Sequence, residues 1–199
     1  MQDHVRATSN TCSGPEVAPW SPMRRWRVEK SESGDWRWWQ VEKSESGDCR
    51  VEEREQEVFT VEEMMPHVQH LNGAVTKNLF LKDKKKKSLW LVSVRHDRQV
   101  NLNDLAKKLG VGSGNLRFAD EAAMLEKLRV GQGCATALAL FCDKDRSARF
   151  VLDSDLADGG HERVYFHPMT NAATLGLKPD DLMRFLKETG HEPILHSFV

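Results

Sequence analysis

Large apolar side chains are distributed unevenly along this chain of 199 residues. The first 56 residues contain no Leu, Ile or Phe, whereas all eight Phe residues lie from Phe59 onward. A segment so poor in aliphatic side chains cannot bury enough apolar surface to offset the entropy lost on folding. We therefore predict a disordered tail over residues 1–56 and a single folded domain over residues 57–199, which is long enough to form its own core.

The tail contains an internal repeat, because the octapeptide VEKSESGD occurs at residues 28–35 and again at residues 41–48. A period of thirteen residues with Val as its only aliphatic side chain is too short and too polar for a stacked repeat protein. Five of the six Trp residues lie here, and four of them cluster with Arg, a combination that suits stacking on single-stranded nucleic acid. The interleaved acidic residues oppose phosphate binding, so we assign no site to the tail.

The formal net charge of −1 excludes a protein that binds nucleic acid through bulk positive charge, although a local basic patch remains compatible with it. No apolar stretch is long enough to span a bilayer, and the first residues lack the apolar core of a secretory signal. The four cysteines show no CxxC spacing, which favours reduced thiols. We expect a cytoplasmic protein with no membrane partner.

From residue 57 the pattern becomes that of a globular domain. Thr60 followed by Glu63 predicts a capping box and a helix, which Pro66 should kink or shorten. Strands and helices then mix without regular βαβ alternation, which predicts an α+β domain with a mixed, largely antiparallel sheet. The further predicted elements are strands at 74–81 and 88–94, a helix at 102–109 capped by Asn101, a strand at 116–119, a helix to Leu128 capped by Asp120, a buried strand at 134–142 with a hairpin partner at 148–152, a strand at 164–166, a helix from Pro179 to Lys187, and a strand at 194–198.

Common catalytic signatures are absent: the chain has no GxGxxG, Walker, GxSxG or HExxH motif. The glycine-rich segment Gly110–Gly114 follows a helix, so it is typical of a helix end rather than a phosphate-binding loop. His67 and His70 lack further metal ligands nearby in the sequence. Cys134 lies among small apolar residues, which favours a core residue over a nucleophile. We predict no metal site.

One polar strand could bind a ligand, the segment Thr76–Asp83. Period-two alternation puts Lys77 with Leu79 and Leu81 on one face. The same alternation groups an amide, an aromatic ring and an ammonium on the other face: Asn78, Phe80 and Lys82. That second face suits an anionic or carbonyl-bearing ligand, but a strand whose charged side chains simply face solvent explains the pattern equally well.

Two further features are weak when taken alone. The run Lys84–Lys87 forms the tip of the predicted hairpin, where it could bind phosphate or only keep the hairpin soluble. His167 stands at the end of a predicted strand before Pro168, and a lone His is more often structural than functional. Neither feature identifies a function by its own pattern.

Several short blocks occur in a fixed order: VFTVEE at 58–63, TKNLFLKD at 76–83, LGVG at 109–112, FHP at 166–168 with NAAT at 171–174, and DLMRFL at 181–186. In content and order they closely resemble the prolyl-tRNA synthetase-associated domain family, the trans-editing aminoacyl-tRNA deacylases related to the bacterial YbaK proteins. The resemblance covers about seven tenths of the chain. It implies the YbaK-like fold, a curved sheet flanked by helices.

The resemblance also implies an activity. Such proteins hydrolyse the ester that joins a wrong amino acid to the 3′ end of tRNA, and the expected substrate is alanine on the tRNA for proline. No cofactor, metal or covalent enzyme intermediate is implied, because a ribose hydroxyl of the tRNA is thought to help activate water. The implied partners are the acceptor end of an aminoacyl-tRNA and, in addition, prolyl-tRNA synthetase.

Site residues follow from the same resemblance, motif by motif. Lys77, Asn78 and Lys82 are expected to engage the terminal adenosine or the substrate. The backbone amides of one loop should face the scissile carbonyl, as in an oxyanion site: Gly133, Cys134, Ala135, Thr136 and Ala137. His167 with Asn171 should line the amino-acid pocket, and the catalytic roles fall to Lys82, Gly133 and His167.

A second hypothesis comes from two departures from the family pattern. The family loop usually ends in proline where this chain has Ala137, and the chain before residue 58 differs from the family's usual start. A less rigid loop would hold the carbonyl less well. The alternative function is therefore a catalytically weak module that binds tRNA or a synthetase.

Overall fold

The structure, a computed structural model, describes residues 26–30, 36–40, 50–53, 60–85, 88–112 and 114–198. The helices are α1 (Val61–Val68), α2 (Leu102–Lys108), α3 (Glu121–Lys127), α4 (Ser154–Asp158) and α5 (Pro179–Thr189), with a 3-10 helix over Ala137–Cys142. The strands are β1 (Trp26–Lys30), β2 (Trp36–Gln40), β3 (Arg50–Glu53), β4 (Ala74–Asp83), β5 (Leu89–Arg95), β6 (Leu116–Phe118), β7 (Ala148–Asp153), β8 (Val164–Phe166), β9 (Ala173–Leu177) and β10 (Ile194–His196). No helix in the described residues is long and apolar enough to cross a membrane.

The helix starts follow the capping residues. The Thr60 hydroxyl accepts a hydrogen bond from the Glu63 N–H at 3.2 Å, and the Glu63 carboxylate accepts from the Thr60 N–H, which confirms the predicted capping box. Helix α1 ends two residues after Pro66, as predicted from its missing N–H. Asn101 and Asp120 cap α2 and α3 with their side chains, again as predicted.

The main sheet has eight strands and mixes both directions of pairing. Along one path the strand order is β10-β7-β5-β4-β8-β9-β3, and β6 pairs with β4 beside that path. The pairs β4–β5, β4–β6, β8–β9 and β3–β9 are antiparallel, whereas β4–β8, β5–β7 and β7–β10 are parallel. The predicted α+β class with a mixed sheet is confirmed.

Alternating side chains of the central strands feed two separate cores. Phe80 of β4 and Leu91 of β5 belong to one buried cluster. Their neighbours Leu81 and Val92 belong to another, together with Trp90. This split confirms the predicted faces of β4, because successive side chains of a strand point to opposite sides of the sheet.

Strand β4 is covered unevenly on its two flanks. Strand β5 pairs with it from Thr76 to Lys82 along one flank. On the other flank β8 pairs only with Ala74 and Val75, and β6 pairs only from Leu81 onward. The stretch between these two pairings has no strand partner on that flank in the described residues. The sheet therefore opens beside the middle of β4.

The prediction for residues 134–142 is wrong. Instead of a buried strand, the chain forms a loop and then the 3-10 helix, and β7 pairs in parallel with β5 and β10 rather than with this segment. The Thr136 hydroxyl accepts a hydrogen bond from Leu138 N–H at 3.3 Å, and its carbonyl accepts from Ala139 N–H. A short buried apolar run has the same pattern in a helix as in a strand, so this local cap decides the outcome.

Residues 1–56 contain three short described strands. Strands β1 and β2 pair antiparallel with each other. Strand β3 pairs antiparallel with β9 at the edge of the main sheet. The rest of this segment, including most of the VEKSESGD repeat, lies outside the described residues, so the disordered tail and the boundary at residue 57 stay predictions.

Replacing Thr136 by Val tests the 3-10 helix. The change keeps the side-chain shape but removes the hydroxyl, and it leaves the Leu138 N–H without its acceptor in a region where both residues are buried. We expect the free energy of unfolding to fall by about 1–3 kcal/mol in urea titrations. A strand at this position would instead tolerate Val or gain from it, so unchanged or higher stability would contradict the assignment.

Candidate active site

A cavity of about 450 Å³ opens beside the uncovered flank of β4. Its size falls in the range that buries a small organic ligand. Six parts of the chain form its walls: the middle of β4, helix α1, the end of β6, the start of α3, the loop before the 3-10 helix, and the turn after β8. The lining residues are Thr60, Met64, Thr76, Lys77, Asn78, Leu79, Phe80, Phe118, Ala119, Asp120, Glu121, Met124, Gln132, Gly133, Ala135 and His167.

Asn78 presents a hydrogen-bond donor that has no acceptor. Its Oδ1 accepts a hydrogen bond from the hydroxyl of Ser93, its cross-strand partner on β5, at 2.5 Å. This bond fixes the amide orientation and leaves Nδ2 as the donor. That nitrogen is buried and has no partner in the described residues. An unsatisfied buried donor costs roughly 1–3 kcal/mol, so a ligand that supplies an acceptor here gains that free energy.

The loop before the 3-10 helix brings backbone amides to the cavity wall. Gly133 has φ 81°, a left-handed conformation that favours glycine. The N–H of Cys134 donates to the Gly131 carbonyl at 3.2 Å, so that amide is used within the turn. Gly133 and Ala135, the residues before and after Cys134, line the cavity. Within the described residues neither of their amides donates a hydrogen bond, so both remain available to an oxygen atom of a ligand.

His167 enters the cavity from the turn that follows β8. It is half-buried, and the backbone beyond it is tightly constrained. Pro168 fixes one dihedral, and Met169 adopts a left-handed φ of 64° although only 2% of it is exposed. A strained non-glycine residue next to a cavity-lining His is a feature common at functional sites.

Lys82 lies beyond the cavity on the same face of β4, where its ammonium donates to the Asp120 carboxylate. Asp120 lines the cavity and also accepts from the Ala123 N–H at 3.0 Å as the cap of α3. The hydrogen bond from Lys82 is the main cause that lowers the pKa of Asp120 below its usual value, and the Ala123 N–H adds to it. Lys82 is thus tied to the cavity wall by an exposed ion pair.

Lys77 occupies a different position from its neighbour Asn78. It forms part of the cavity wall, but its ammonium donates to the Arg98 carbonyl. Strand alternation directs this side chain to the opposite face from Asn78 and Phe80. Its ammonium therefore ties β4 to the loop after β5.

The structure brings together only part of the site that the resemblance implies. Asn78, Gly133, Ala135 and His167 share one cavity, and Lys82 reaches its edge through Asp120. Four implied residues are not among those lining the cavity: Cys134, Thr136, Ala137 and Asn171. Of these, Thr136 and Ala137 are fully buried and Asn171 is 2% exposed.

Sequence reasoning missed the acidic side of the cavity. Asp120 was predicted only as a helix cap, and Glu121 was assigned no role. Both residues line the cavity at the start of α3. A capping Asp gives the same sequence signal whether or not its second oxygen faces a site. Only the pairing of β6 with β4 brings this helix start beside Lys82.

Comparisons with known proteins agree with this architecture. The sequence profile of the family described as the aminoacyl-tRNA editing domain matches residues 55–185. The chain is 76% identical over 142 residues to the Bos taurus protein named prolyl-tRNA synthetase associated domain-containing protein 1, covering 71% of this chain and 82% of the relative. It is 31% identical over 134 residues to the prolyl-tRNA editing protein ProX of Acetoanaerobium sticklandii, covering 67% of this chain and 79% of that protein. A crystal structure described as a candidate trans-editing enzyme for prolyl tRNA synthetase shares the fold, with a TM-score of 0.57, 20% identity, and coverage of 76% of this chain and 87% of that one.

The ion pair at the cavity edge predicts a titration shift. Lys82→Met removes the largest cause of the lowered pKa, so the Asp120 pKa should rise toward its usual value while the Ala123 N–H still holds it somewhat down. The Asp120 pKa is lower in the folded state than in the unfolded state. The ion pair therefore stabilises the fold at pH values above the unfolded-state pKa, and this contribution is lost as the pH falls through the folded-state pKa. Carboxyl carbon NMR titrations of both proteins measure the shift. An Asp120 pKa that is the same in both would show that the pair does not form.

Proposed function

This chain belongs to the aminoacyl-tRNA editing domain family, and on that premise we propose that it is a trans-editing hydrolase for mischarged aminoacyl-tRNA. The substrate we propose is alanine esterified to the tRNA for proline. The reaction takes place in the cavity beside β4 and releases the free amino acid and the intact tRNA. The editing unit is the domain from residue 57 onward.

The observation that carries this proposal is a set of hydrogen-bond donors without acceptors. Within the described residues the Nδ2 of Asn78 is buried and has no partner, and Gly133 and Ala135, whose amides donate to no group there, line the same cavity. Donors of this kind stabilise oxygen atoms that gain negative charge, such as the carbonyl oxygen of an ester under attack. An aminoacyl ester supplies the carbonyl oxygen for the two backbone amides, and its ribose oxygens can accept from the Asn78 Nδ2.

The hydrolysis needs no protein nucleophile. Water adds to the ester carbonyl carbon, and a ribose hydroxyl of the terminal adenosine helps to remove its proton. The negative charge develops on the carbonyl oxygen, next to the amides of Gly133 and Ala135. The bond from the carbonyl carbon to the ribose oxygen then breaks, and that oxygen takes up the proton. His167 contacts the amino-acid part and limits its size.

Lys82 and the hairpin tip orient the nucleic acid. Lys82 continues the face of β4 that carries Asn78, about 14 Å further along the strand at roughly 3.4 Å per residue. Lys84 and Lys85 follow at the exposed tip. Lysine ammonium groups bind phosphate as point charges, and such contacts weaken with added salt. The terminal nucleotides therefore run from the cavity toward the hairpin tip, and Lys82 exchanges Asp120 for a phosphate or ester oxygen.

Substrate selection by a cavity of this kind depends on small differences in volume. One methylene in an apolar pocket changes the free energy of binding by about 1–3 kcal/mol, so alanine and glycine, which differ by one methylene, are separated only modestly. Prolyl-tRNA synthetase is the proposed partner because it produces the mischarged tRNA. Charging of this kind takes place in the cytoplasm, which is where we place the protein.

One observation favours a second function, a catalytically weak module that binds tRNA or a synthetase. The ammonium of Lys82 is already engaged by Asp120 and must leave that pair before it can assist catalysis. The other argument for this alternative, the missing proline at the end of the loop, has less support in the structure. Ala137 is the first residue of the 3-10 helix, where Thr136 already supplies a side-chain cap in the absence of proline.

Deacylation by the purified full chain tests the proposed activity. Alanyl-tRNA for proline should be hydrolysed well above its uncatalysed rate, and correctly charged prolyl-tRNA should not. Lys82→Ala should lower turnover far more than it lowers tRNA affinity. The matched control is Lys107→Ala, since Lys107 is an exposed residue of α2 whose only ion-pair partner among the described residues is Asp104 of its own helix. A wild-type protein that binds this tRNA without hydrolysing it, and that loses only salt-sensitive affinity in Lys82→Ala, would establish the binding module instead.

Asn78→Asp tests the unpartnered donor directly. Aspartate keeps the shape and the acceptor for Ser93, but it replaces the Nδ2 donor by an oxygen. We expect kcat/KM for deacylation to fall by about 10- to 100-fold, because a ribose oxygen of the substrate loses a hydrogen bond and faces a carboxylate instead. Asn103→Asp is the control, because the side chain of exposed Asn103 makes one hydrogen bond within the described residues, its Oδ1 accepting from Gly114 N–H at 3.1 Å, and this oxygen remains an acceptor after the change. Equal activity of both variants would remove Asn78 from the site.

A further inference from the structure

The mouth of the cavity carries a carboxylate that has no cation. Glu121 begins α3 and lines the cavity, and no basic side chain in the described part of the chain pairs with it. Its neighbour Asp120 differs, since Lys82 already occupies that carboxylate. One acidic group at this mouth is therefore neutralised within the protein and the other is not.

The Glu121 carboxylate reaches toward the loop that bears the amides. Its Oε1 lies 3.8 Å from the point that a Cβ would occupy on Gly131. Gly131 begins the turn whose next residues, Gln132 and Gly133, line the cavity. The unpaired carboxylate and the amide of Gly133 thus stand at the same side of the opening.

The side of the opening toward the hairpin is basic. Beyond Asn78, strand β4 continues through Lys82 to the exposed Lys84 and Lys85. Arg117 of β6 is the cross-strand partner of Lys82 and is also exposed. The charge of the rim therefore changes along it: the hairpin side carries lysines, the Lys82–Asp120 pair follows, and Glu121 beside Gly131 is anionic.

An aminoacyl ester at the end of a tRNA has the matching polarity. Its phosphates lie on the ribose side of the ester, and its α-ammonium lies on the carbon bonded directly to the carbonyl. A carbonyl oxygen at the Gly133 amide and phosphates toward the lysines leave the ammonium on the side of Gly131. We propose that Glu121 binds the α-ammonium of the substrate, so that the site selects esters with a free, positively charged amine.

This inference rests on the proposed editing activity, and it adds that the α-ammonium of the substrate is recognised at the mouth of the cavity. A charged group recognised by a carboxylate separates aminoacyl-tRNA from tRNA esters whose α-nitrogen is blocked or replaced. Hydrogen bonds between an ammonium and a carboxylate are stronger than those between neutral groups, but Glu121 is exposed, so solvent weakens the contact. We expect a discrimination of about 10-fold.

The test compares two esters of the same tRNA for proline, alanyl-tRNA and lactyl-tRNA. Lactate has the shape of alanine, with a hydroxyl in place of the ammonium. The kcat/KM of the wild-type protein, corrected for the uncatalysed rates, should favour the alanyl ester by about 10-fold. Glu121→Gln keeps the size and the hydrogen-bonding capacity of the side chain but removes its charge. It should lose about 10-fold on the alanyl ester and change less than about twofold on the lactyl ester.

Glu126→Gln is the matched control. Glu126 is an exposed residue of the same helix, it contacts Lys127, and it does not line the cavity. The Glu126→Gln variant should hydrolyse both esters with the kcat/KM of the wild type. Equal wild-type rates on the two esters, or an equal loss on both in Glu121→Gln, would overturn the role of Glu121 while the editing activity stands. Hydrolysis of neither ester by the wild type would overturn the editing activity itself, and this inference with it.

Discussion

The uncovered flank of β4, which β8 and β6 cover only at its two ends, determines where this protein can act. A strand inside a sheet normally has a partner along both sides, which satisfies its backbone and closes the surface. Here β5 covers one side, while β8 and β6 divide the other and leave its middle open. Thr76 holds the β8 side of this opening through a hydrogen bond from its hydroxyl to the Tyr165 carbonyl at 2.8 Å. The cavity, and each side chain that reaches it, depends on this interruption.

The interruption also separates two kinds of group around one opening. Within the cavity, Asn78 and the amide-bearing loop at Gly133 offer hydrogen-bond donors that suit the oxygen atoms of an ester. At the mouth, charged groups of both signs lie close together, and Lys82 and Asp120 form an ion pair there. A substrate with a polar, uncharged ester between a cation and a polyanion fits this order. The fit comes from the arrangement of the groups, since the chain as a whole is nearly neutral.

Local rules predicted much of the fold because local forces decide those features. The Thr60 capping box, the Asn101 cap and the two faces of β4 each follow from residues within a few positions of each other. The segment at residues 134–142 was wrongly predicted because its composition suits any buried element. The Thr136 hydroxyl, a single oxygen, then decides for the 3-10 helix. Likewise Asp120 was predicted as a cap but not as a site residue.

By itself the sequence determined the family, through the order of its motifs, and the ends of most helices and strands, through caps and alternation. It also placed Asn78, Phe80 and Lys82 on one face of a strand. Only the tertiary structure decided which distant residues meet. Asp120 is 38 residues from Lys82, and they pair because β6 adds to the end of β4. The order of the strands in the sheet brings together residues that are far apart in the chain, and no local pattern in the sequence encodes which of them come into contact.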